Sequence, residues 1–234
     1  MKSLFVYPTI GVLKISGGAA VLMELCRIMK EMGEVVVLIP ETEERGAISS
    51  YSRVYRFSHN LLPPDLSPWF LWQMRSVMKK EKPDVVFTSF LSGSILLRLV
   101  VGRKAKFIFI AHIYEHGYIT RVSPGRRHFV LRAYVRFREG IACKLSDHIV
   151  SLSELDKKSL CKAYGIEHSN ITVVQPGSWE MVMRDKMAKS IARGLLHLPK
   201  DGPIVLFHGN MLHHPNREAV RRIADTISPK VCER

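Results

Sequence analysis

The sequence predicts an α/β fold, a doubly wound parallel sheet covered by helices on both faces. Short apolar runs rich in β-branched residues recur along the chain, and the run at 35–39 is continuous rather than alternating, as in strands buried on both faces. Segments with helical periodicity separate these runs. Because strands that alternate with helices form parallel sheets, the 234 residues are expected to hold one large domain or one and a half.

The first elements are a strand, a helix and a second strand. Residues 4–7 are a short apolar run, and the apolar residues between Val21 and Met32 recur at three- and four-residue spacing. Gly17 and Gly18 lie at the start of this helix, where backbone N–H groups can approach an anionic or sugar ligand. A tight turn explains the two glycines equally well, and the G-x-G-x-x-G spacing of dinucleotide-binding proteins is absent.

The later elements continue the alternation. One helix is predicted to begin after Ser67, which is a good N-cap before Pro68, and another runs from Ser153 to a terminating Gly165. Further strands are predicted at 54–57, 85–88, 106–111, 147–152, 171–174 and 204–207, and further helices at 92–101, 121–144, 187–196 and 216–227.

His112 directly follows the predicted strand at 106–111. Ligands of open parallel sheets bind outside the carboxyl ends of the strands, so this position favours a functional role. A lone histidine is more often structural. However, the polar and aromatic segment at 114–118 is expected to be irregular, and not a helix that would bury the ring. His112 is therefore a candidate site residue.

The formal net charge is +14, and positive charge is concentrated in residues 121–144, which we call the basic segment. Glu139 is its single acidic residue. An apolar seam runs through it, which is expected to pack on the core as one face of a helix: Val130, Ala133, Tyr134, Phe137, Ile141 and Leu145. The arginines of the basic segment are Arg121, Arg126, Arg127, Arg132, Arg136 and Arg138.

Two interpretations of the basic segment remain open. Its cations form either a solvated helix surface or a surface that meets anionic lipid or a lipid-linked phosphate. Under the second interpretation, the residues at the acceptor or lipid surface are Arg126, Arg127, Arg132, Arg136 and Arg138. Nucleic acid is not expected as a partner, because the segment lacks interleaved stacking aromatics and the chain shows no recognition motif.

Cysteine spacing and hydropathy disfavour several classes of protein. The four cysteines form no C-x-x-C pair, so neither a zinc site nor a disulfide framework is expected. No apolar run reaches the roughly 18 to 20 residues of a membrane span, and the N-terminus lacks a secretory signal pattern. We therefore expect a cytoplasmic protein whose contact with a membrane is at most peripheral.

Six short motifs, taken in order, resemble the family 4 glycosyltransferases of the GT-B fold. They are the pair Gly17-Gly18, the segment Pro83-Asp84-Val85-Val86, the strand ending at His112, and the segments SDHIVSLSE at 146–154, VVQPG at 173–177 and VLFHGN at 205–210. Each motif is short, but their order and spacing span nearly the whole chain. In that family, two Rossmann-like domains face each other across a cleft, and sugar transfer proceeds with retention and usually without a metal.

The resemblance assigns roles to individual residues. It implies that Gly17, Gly18 and Gly209 belong to the donor- and phosphate-binding set and that His112, the candidate catalytic residue, lies close to the donor sugar. A departing nucleotide diphosphate requires N–H donors and cations, and a neutral imidazole can hydrogen-bond a sugar hydroxyl. No metal and no cofactor are implied, because the sugar nucleotide is a substrate.

The resemblance also divides the chain. It implies an N-terminal Rossmann-like acceptor domain at 1–177, an interdomain linker at 178–202 and, at 203–234, a truncated start of a second Rossmann-like domain that binds the donor. The expected substrates are a sugar nucleotide and a lipid-linked or glycan acceptor. The family's other donor-binding residues would lie beyond Arg234, so the chain is expected to be truncated or split and inactive alone, or completed by a partner chain. The alternative is a non-catalytic Rossmann-like protein that binds a membrane or a partner.

Overall fold

The computed structural model describes residues 1–7, 17–41, 53–57, 67–89, 94–175, 189–209, 211 and 214–232. The chain forms two compact units, Met1–Trp179 and Glu180–Arg234. The strands of the first unit are β1 (Lys2–Val6), β2 (Glu34–Pro40), β3 (Arg53–Phe57), β4 (Val85–Ser89), β5 (Lys106–Ala111), β6 (His148–Ser151) and β7 (Ile171–Val173). They form one seven-stranded sheet in the order β3-β2-β1-β4-β5-β6-β7, and every neighbouring pair is parallel. The predicted parallel α/β sheet is confirmed.

The helices of the first unit connect these strands. They are α1 (Gly17–Met32), α2 (Pro68–Glu81), α3 (Ser94–Val101), α4 (Glu115–Val122), α5 (Phe129–Leu145) and α6 (Glu154–Tyr164). A short 3₁₀ turn at Arg126–His128 precedes α5, so the basic segment is divided between the end of α4, this turn and α5.

The helices cover both faces of the sheet. Along β5, Phe107, Phe109 and Ala111 point to one face, and Ile108 and Ile110 point to the other. Phe107 packs with α2 and α3, and Phe109 and Ala111 pack with α5 and α6, so these four helices share a face. Ile110 packs with α1 on the opposite face.

The ends of α2 and α6 match the predicted caps. The Oγ of Ser67 accepts a hydrogen bond from the N–H of Phe70 at 3.3 Å, and the Oγ of Ser153 accepts one from the N–H of Asp156 at 3.1 Å. Gly165 ends α6 with a φ of +66°, in the left-handed region that favours glycine. These helix boundaries follow from local sequence alone.

A buried carboxylate fixes the end of α2 against the sheet. Glu81 accepts hydrogen bonds from Arg53 and Tyr55 of β3 and from Lys2 of β1. A buried carboxylate is costly unless its oxygens are paired, so this side chain holds α2, β1 and β3 in one arrangement.

The predicted strand at 204–207 is not formed. These residues have no regular secondary structure, and Val205 is 88% exposed. A strand requires neighbours that accept its backbone hydrogen bonds, and the described remainder of the second unit supplies turns and helices instead. These helices are α7 (Lys189–Leu195), α8 (His214–Arg222) and α9 (Ser228–Cys232), with a π-helical turn at Ile223–Ile227 between the last two.

Candidate active site at the carboxyl ends of the strands

The carboxyl ends of β4, β5 and β6 lie side by side. Ser89, the last residue of β4, is in register with Ile110 of β5, and Ala111 is in register with Ser151, the last residue of β6. His112 follows β5 directly, so it lies at the same end of the sheet as both serines. This is the end at which parallel sheets bind ligands.

The imidazole of His112 is hydrogen-bonded to Ser89. His112 Nε2 and the Oγ of the buried Ser89 are 2.5 Å apart. Burial lowers the pKa of His112 to about 4, so the ring is neutral near pH 7. A neutral imidazole can hydrogen-bond a sugar hydroxyl without a change in charge. The sequence analysis did not select Ser89. The available signal was its position, because Ser89 is a polar residue at the end of β4, the strand next to the one that His112 follows.

The segment after His112 is helical, so the prediction of an irregular segment at 114–118 is wrong. The carboxylate of Glu139 accepts hydrogen bonds from the N–H groups of Glu115 at 2.7 Å and His116 at 3.0 Å, in the first turn of α4. The N–H of Tyr114 donates to Asp156 at 2.9 Å. A helix begins where its first N–H groups find acceptors, and here the acceptors come from α5 and α6. A local sequence pattern does not contain this information.

Glu139 is completely buried. The hydroxyl of Tyr164 in α6 donates a third hydrogen bond to its carboxylate, at 2.6 Å. Burial raises the pKa of Glu139, and the hydrogen bonds from Tyr164, His116 and Glu115 offset part of this effect. Burial, followed by the charge of Glu139, raises the pKa of the Glu115 side chain to about 7. Two carboxyl groups therefore share this site, and Glu115 retains a proton up to about neutral pH.

The predicted orientation of α5 is wrong. Four of the six residues of the apolar seam are exposed, and the exposed fractions of Val130 and Phe137 are 76% and 64%. Ile141 and Leu145, at the end of the helix, are half-buried. The buried residues of α5 are Glu139, Gly140, Ala142 and Cys143. Both stripes of the helix contain apolar residues, so periodicity does not choose between them. Glu139 decides the orientation, because its carboxylate reaches its hydrogen-bond donors only from the buried stripe.

Three of the predicted surface arginines have partners within the chain. Arg127 donates to Nε2 of the neighbouring His128 at 3.0 Å. Arg132 donates to the carbonyl oxygens of Ser123 at 2.7 Å and Gly125 at 3.0 Å, and so holds the end of α4. The guanidinium of Arg138 lies 5.1 Å from the ring centroid of Tyr134 and donates to its hydroxyl at 3.0 Å. Arg132 therefore has a structural role in addition to its charge.

Arg126, Arg127 and Arg136 are exposed. Arg136 and Lys144 line a groove of about 500 Å³ between α5 and α6. The other residues of the groove are mostly apolar: Ala133, Phe137, Gly140, Ile141, Ala163 and Tyr164. This combination suits a ligand with both an anionic group and an apolar chain.

The three predicted glycines lie at two places. Gly17 and Gly18 are the first two residues of α1. Since α1 connects the parallel strands β1 and β2, its N-terminus is at the carboxyl end of the sheet, the same end as His112. Gly209 belongs to the second unit, where a Cβ at this position would lie 2.7 Å from Nδ2 of Asn216.

Two kinds of site are absent from the residues that the structure describes. These residues contain no group of three or more His, Cys, Asp or Glu side chains that could hold a metal ion. In the same part of the chain, no helix has both the length and the apolar composition that crossing a membrane requires.

We expect Glu115 to make stability depend on pH. Its folded-state pKa is about 7 and its ordinary value is 4.5, so the folded state binds the proton more tightly. The contribution of Glu115 to the free energy of unfolding is therefore complete below about pH 4.5 and is lost as pH rises to about 7. Between about pH 5 and pH 8, the free energy of unfolding of Glu115→Gln should rise by on the order of 1 to 2 kcal/mol relative to that of wild type, measured by urea unfolding. A wild-type minus variant difference that is constant with pH would contradict the proximity of the two carboxyl groups.

Comparison with known proteins supplies the family. The family described as Glycosyltransferase Family 4 matches the chain over residues 15–178. A comparison with curated proteins found no match.

Solved structures share the fold at low identity. The apo lipopolysaccharide outer core galactosyltransferase WaaB is 16% identical with a TM-score of 0.53, and the match covers 80% of this chain and 50% of WaaB. Anabaena HepE, solved with UDP and glucose, is 14% identical with a TM-score of 0.51, over 76% of this chain and 45% of HepE. The UDP-GlcNAc 2-epimerase of Methanocaldococcus jannaschii is 16% identical with a TM-score of 0.50, and the match covers 74% of this chain and 45% of the epimerase.

This chain therefore spans about half the length of these solved structures. They establish the fold, which is common to transferases and epimerases, and the match over residues 15–178 establishes the family. The chain belongs to glycosyltransferase family 4.

Proposed function

We propose that this chain forms the acceptor side of a retaining glycosyltransferase that moves a sugar from a sugar nucleotide to a lipid-linked or glycan acceptor. The observation that carries the proposal is the neutral imidazole of His112, bonded to Ser89 at the carboxyl end of the sheet in a chain of this family. The UDP and glucose of HepE and the UDP-GlcNAc of the epimerase support a sugar nucleotide as the donor.

Two groups at this end of the sheet have separate roles in the proposal, one toward the donor sugar and one toward the phosphates. In the proposal, His112 hydrogen-bonds a hydroxyl of the donor sugar, and Ser89 fixes the ring through Nε2. The first N–H groups of α1, at Gly17 and Gly18, bind the phosphates that depart with the nucleotide. No metal and no cofactor enter the proposal. The remaining donor contacts are assigned to a second domain, in a longer form of the protein or in a partner chain.

The basic segment is proposed to meet the acceptor at a membrane. The exposed Arg126, Arg127 and Arg136 attract anionic headgroups, and the exposed part of the apolar seam can enter the interfacial layer of the bilayer. The groove between α5 and α6 would take the lipid part of a lipid-linked acceptor, with its phosphate near Arg136 or Lys144. Under this proposal the protein is cytoplasmic and binds the membrane peripherally.

A transfer assay with labelled sugar nucleotides and a lipid extract tests the function. The 234-residue chain alone is expected to give no transfer, because one side of a two-domain cleft cannot close on the donor. With a donor-binding domain of the same family added, we expect transfer that falls by about 100-fold in His112→Ala and less in Ser89→Ala. Transfer by the chain alone above a His112→Ala control would contradict the division between two domains. Equal rates for wild type and His112→Ala in the completed enzyme would contradict the role of His112.

Vesicle co-sedimentation tests the membrane contact. We expect binding to vesicles that contain phosphatidylglycerol, with a steep loss as salt rises and the Debye length falls from about 30 Å at 0.01 M to about 8 Å at 0.15 M. Arg136→Glu should weaken binding by about tenfold or more. Each cation near an anionic leaflet contributes about 1 kcal/mol, and the substitution both removes this attraction and adds a repulsion. Lys30→Glu, an equal charge change on the exposed surface of α1, is the matched control. Equal binding to neutral vesicles, or equal effects of the two variants, would refute the membrane contact.

A further inference from the structure

The two faces of the sheet carry different kinds of helix surface. Helices α2, α3 and α5 lie on one face, because they pack on Phe107, Phe109 and Ala111 of β5. Helix α1 lies on the other face with Ile110. On α1 the charges are mixed and paired, since Arg27 donates to Glu24 at 2.7 Å and to Glu31 at 2.7 Å.

The surface of α2, α3 and α5 has no exposed carboxylate. These helices contain only two acidic residues, Glu81 and Glu139, and both are buried against the hydrogen-bond donors described above. They contain eight lysine and arginine residues, three on α2, one on α3 and four on α5. The exposed charge of these three helices is therefore entirely positive, and we call their outer surface the cationic face. Helix α6, on the same face of the sheet, carries the exposed Glu154 and is not part of the cationic face.

Large apolar side chains lie among these cations. Trp69 and Trp72 stack with ring centroids 5.0 Å apart and are 47% and 61% exposed. They share a stripe of α2 with Arg75 and Lys79, because residues at three- and four-residue spacing lie on one side of a helix. Leu99 of α3 is 73% exposed. Exposed apolar groups within a charged rim mark a surface that meets another apolar phase or partner.

A groove between α2 and α3 adds a second concentration of cations. It has a volume of about 470 Å³, and its lining includes Arg75, Lys79, Lys82 and Lys104 together with Leu99. The carboxylate that also lines it, Asp84, accepts a hydrogen bond from the N–H of Lys2 at 2.7 Å. The groove thus offers several cations to an anionic headgroup near apolar surface.

We propose that the whole cationic face rests on an anionic lipid bilayer, with Trp69 and Trp72 as an anchor separate from the basic segment. This inference rests on the membrane contact in the proposed function and extends it to α2 and α3. Tryptophan is favoured at the level of the headgroups, where its ring is partly apolar and its N–H remains hydrated. A single-stranded nucleic acid fits less well, because the exposed Leu99 and Val130 are aliphatic and cannot stack on bases.

This contact would set the orientation of the domain. A helix layer that lies flat on the bilayer places the sheet roughly parallel to the membrane plane, with the carboxyl ends of the strands facing sideways along the surface. His112 would then be reached by a headgroup that diffuses within the leaflet.

Tryptophan fluorescence tests the inference directly. The chain has three tryptophans, and Trp179→Phe leaves Trp69 and Trp72 as the reporters. With phosphatidylcholine vesicles that contain phosphatidylglycerol, we expect a blue shift and protection from quenching by acrylamide, with neither effect for phosphatidylcholine alone. In co-sedimentation, replacing both residues by alanine should weaken binding at least about tenfold, equal to about 1.4 kcal/mol. Ile28→Ala, on the exposed surface of α1, is the matched control and should have little effect.

The outcomes separate this inference from the function it rests on. If the chain binds anionic vesicles but acrylamide quenches both tryptophans as in free protein, the cationic face is not the docking face, and the basic segment alone remains as the contact. If the chain does not bind anionic vesicles, the membrane contact fails, and this inference fails with it. If single-stranded DNA gives the same blue shift and protection at lower concentration than the vesicles, the choice of a bilayer is wrong.

Discussion

The carboxylate of Glu139 joins three helices at the end of the sheet where the candidate site lies. It belongs to α5, and it accepts hydrogen bonds from the first two N–H groups of α4 and from the hydroxyl of Tyr164 in α6. An unpaired carboxylate at this depth would be strongly destabilising, so these partners make the arrangement cooperative. The start of α4 is only three residues beyond His112. The helix that follows His112 is therefore fixed at its start by a carboxylate from α5.

The same carboxylate decides which side of α5 faces the solvent. With Glu139 inward, most of the apolar seam and several arginines are left outward, and the helix presents a surface that is both apolar and positive. Glu81 has a parallel effect on α2, because it is buried against Arg53, Tyr55 and Lys2 while Trp69 and Trp72 remain exposed. The burial of the two acids thus leaves α2, α3 and α5 without exposed negative charge. The candidate site and the proposed docking face share this physical origin.

Sequence analysis was reliable where the determinants are local. The continuous apolar runs gave the strands of the parallel sheet, and Ser67, Ser153 and Gly165 gave helix ends, because a cap acts within a few residues. It failed at 114–118 and at the seam of α5, where the deciding hydrogen bonds join distant helices. It failed at 204–207 because an apolar run becomes a strand only beside a partner. The position of His112 followed from strand topology, whereas its bond to Ser89 required the register of β4 and β5.

Amide hydrogen exchange at Glu115 and His116 tests the central role of Glu139 most directly. The first N–H groups of a helix normally have no partner within it and exchange rapidly, but here both donate to Glu139. We predict that both amides are protected in the wild-type chain. In Glu139→Ala they should exchange at least about tenfold faster, as expected for the loss of about 1.4 kcal/mol, while the amides of β1 and β2 are unchanged. Rapid exchange of these two amides in the wild-type protein, or protection that survives in Glu139→Ala, would contradict the account.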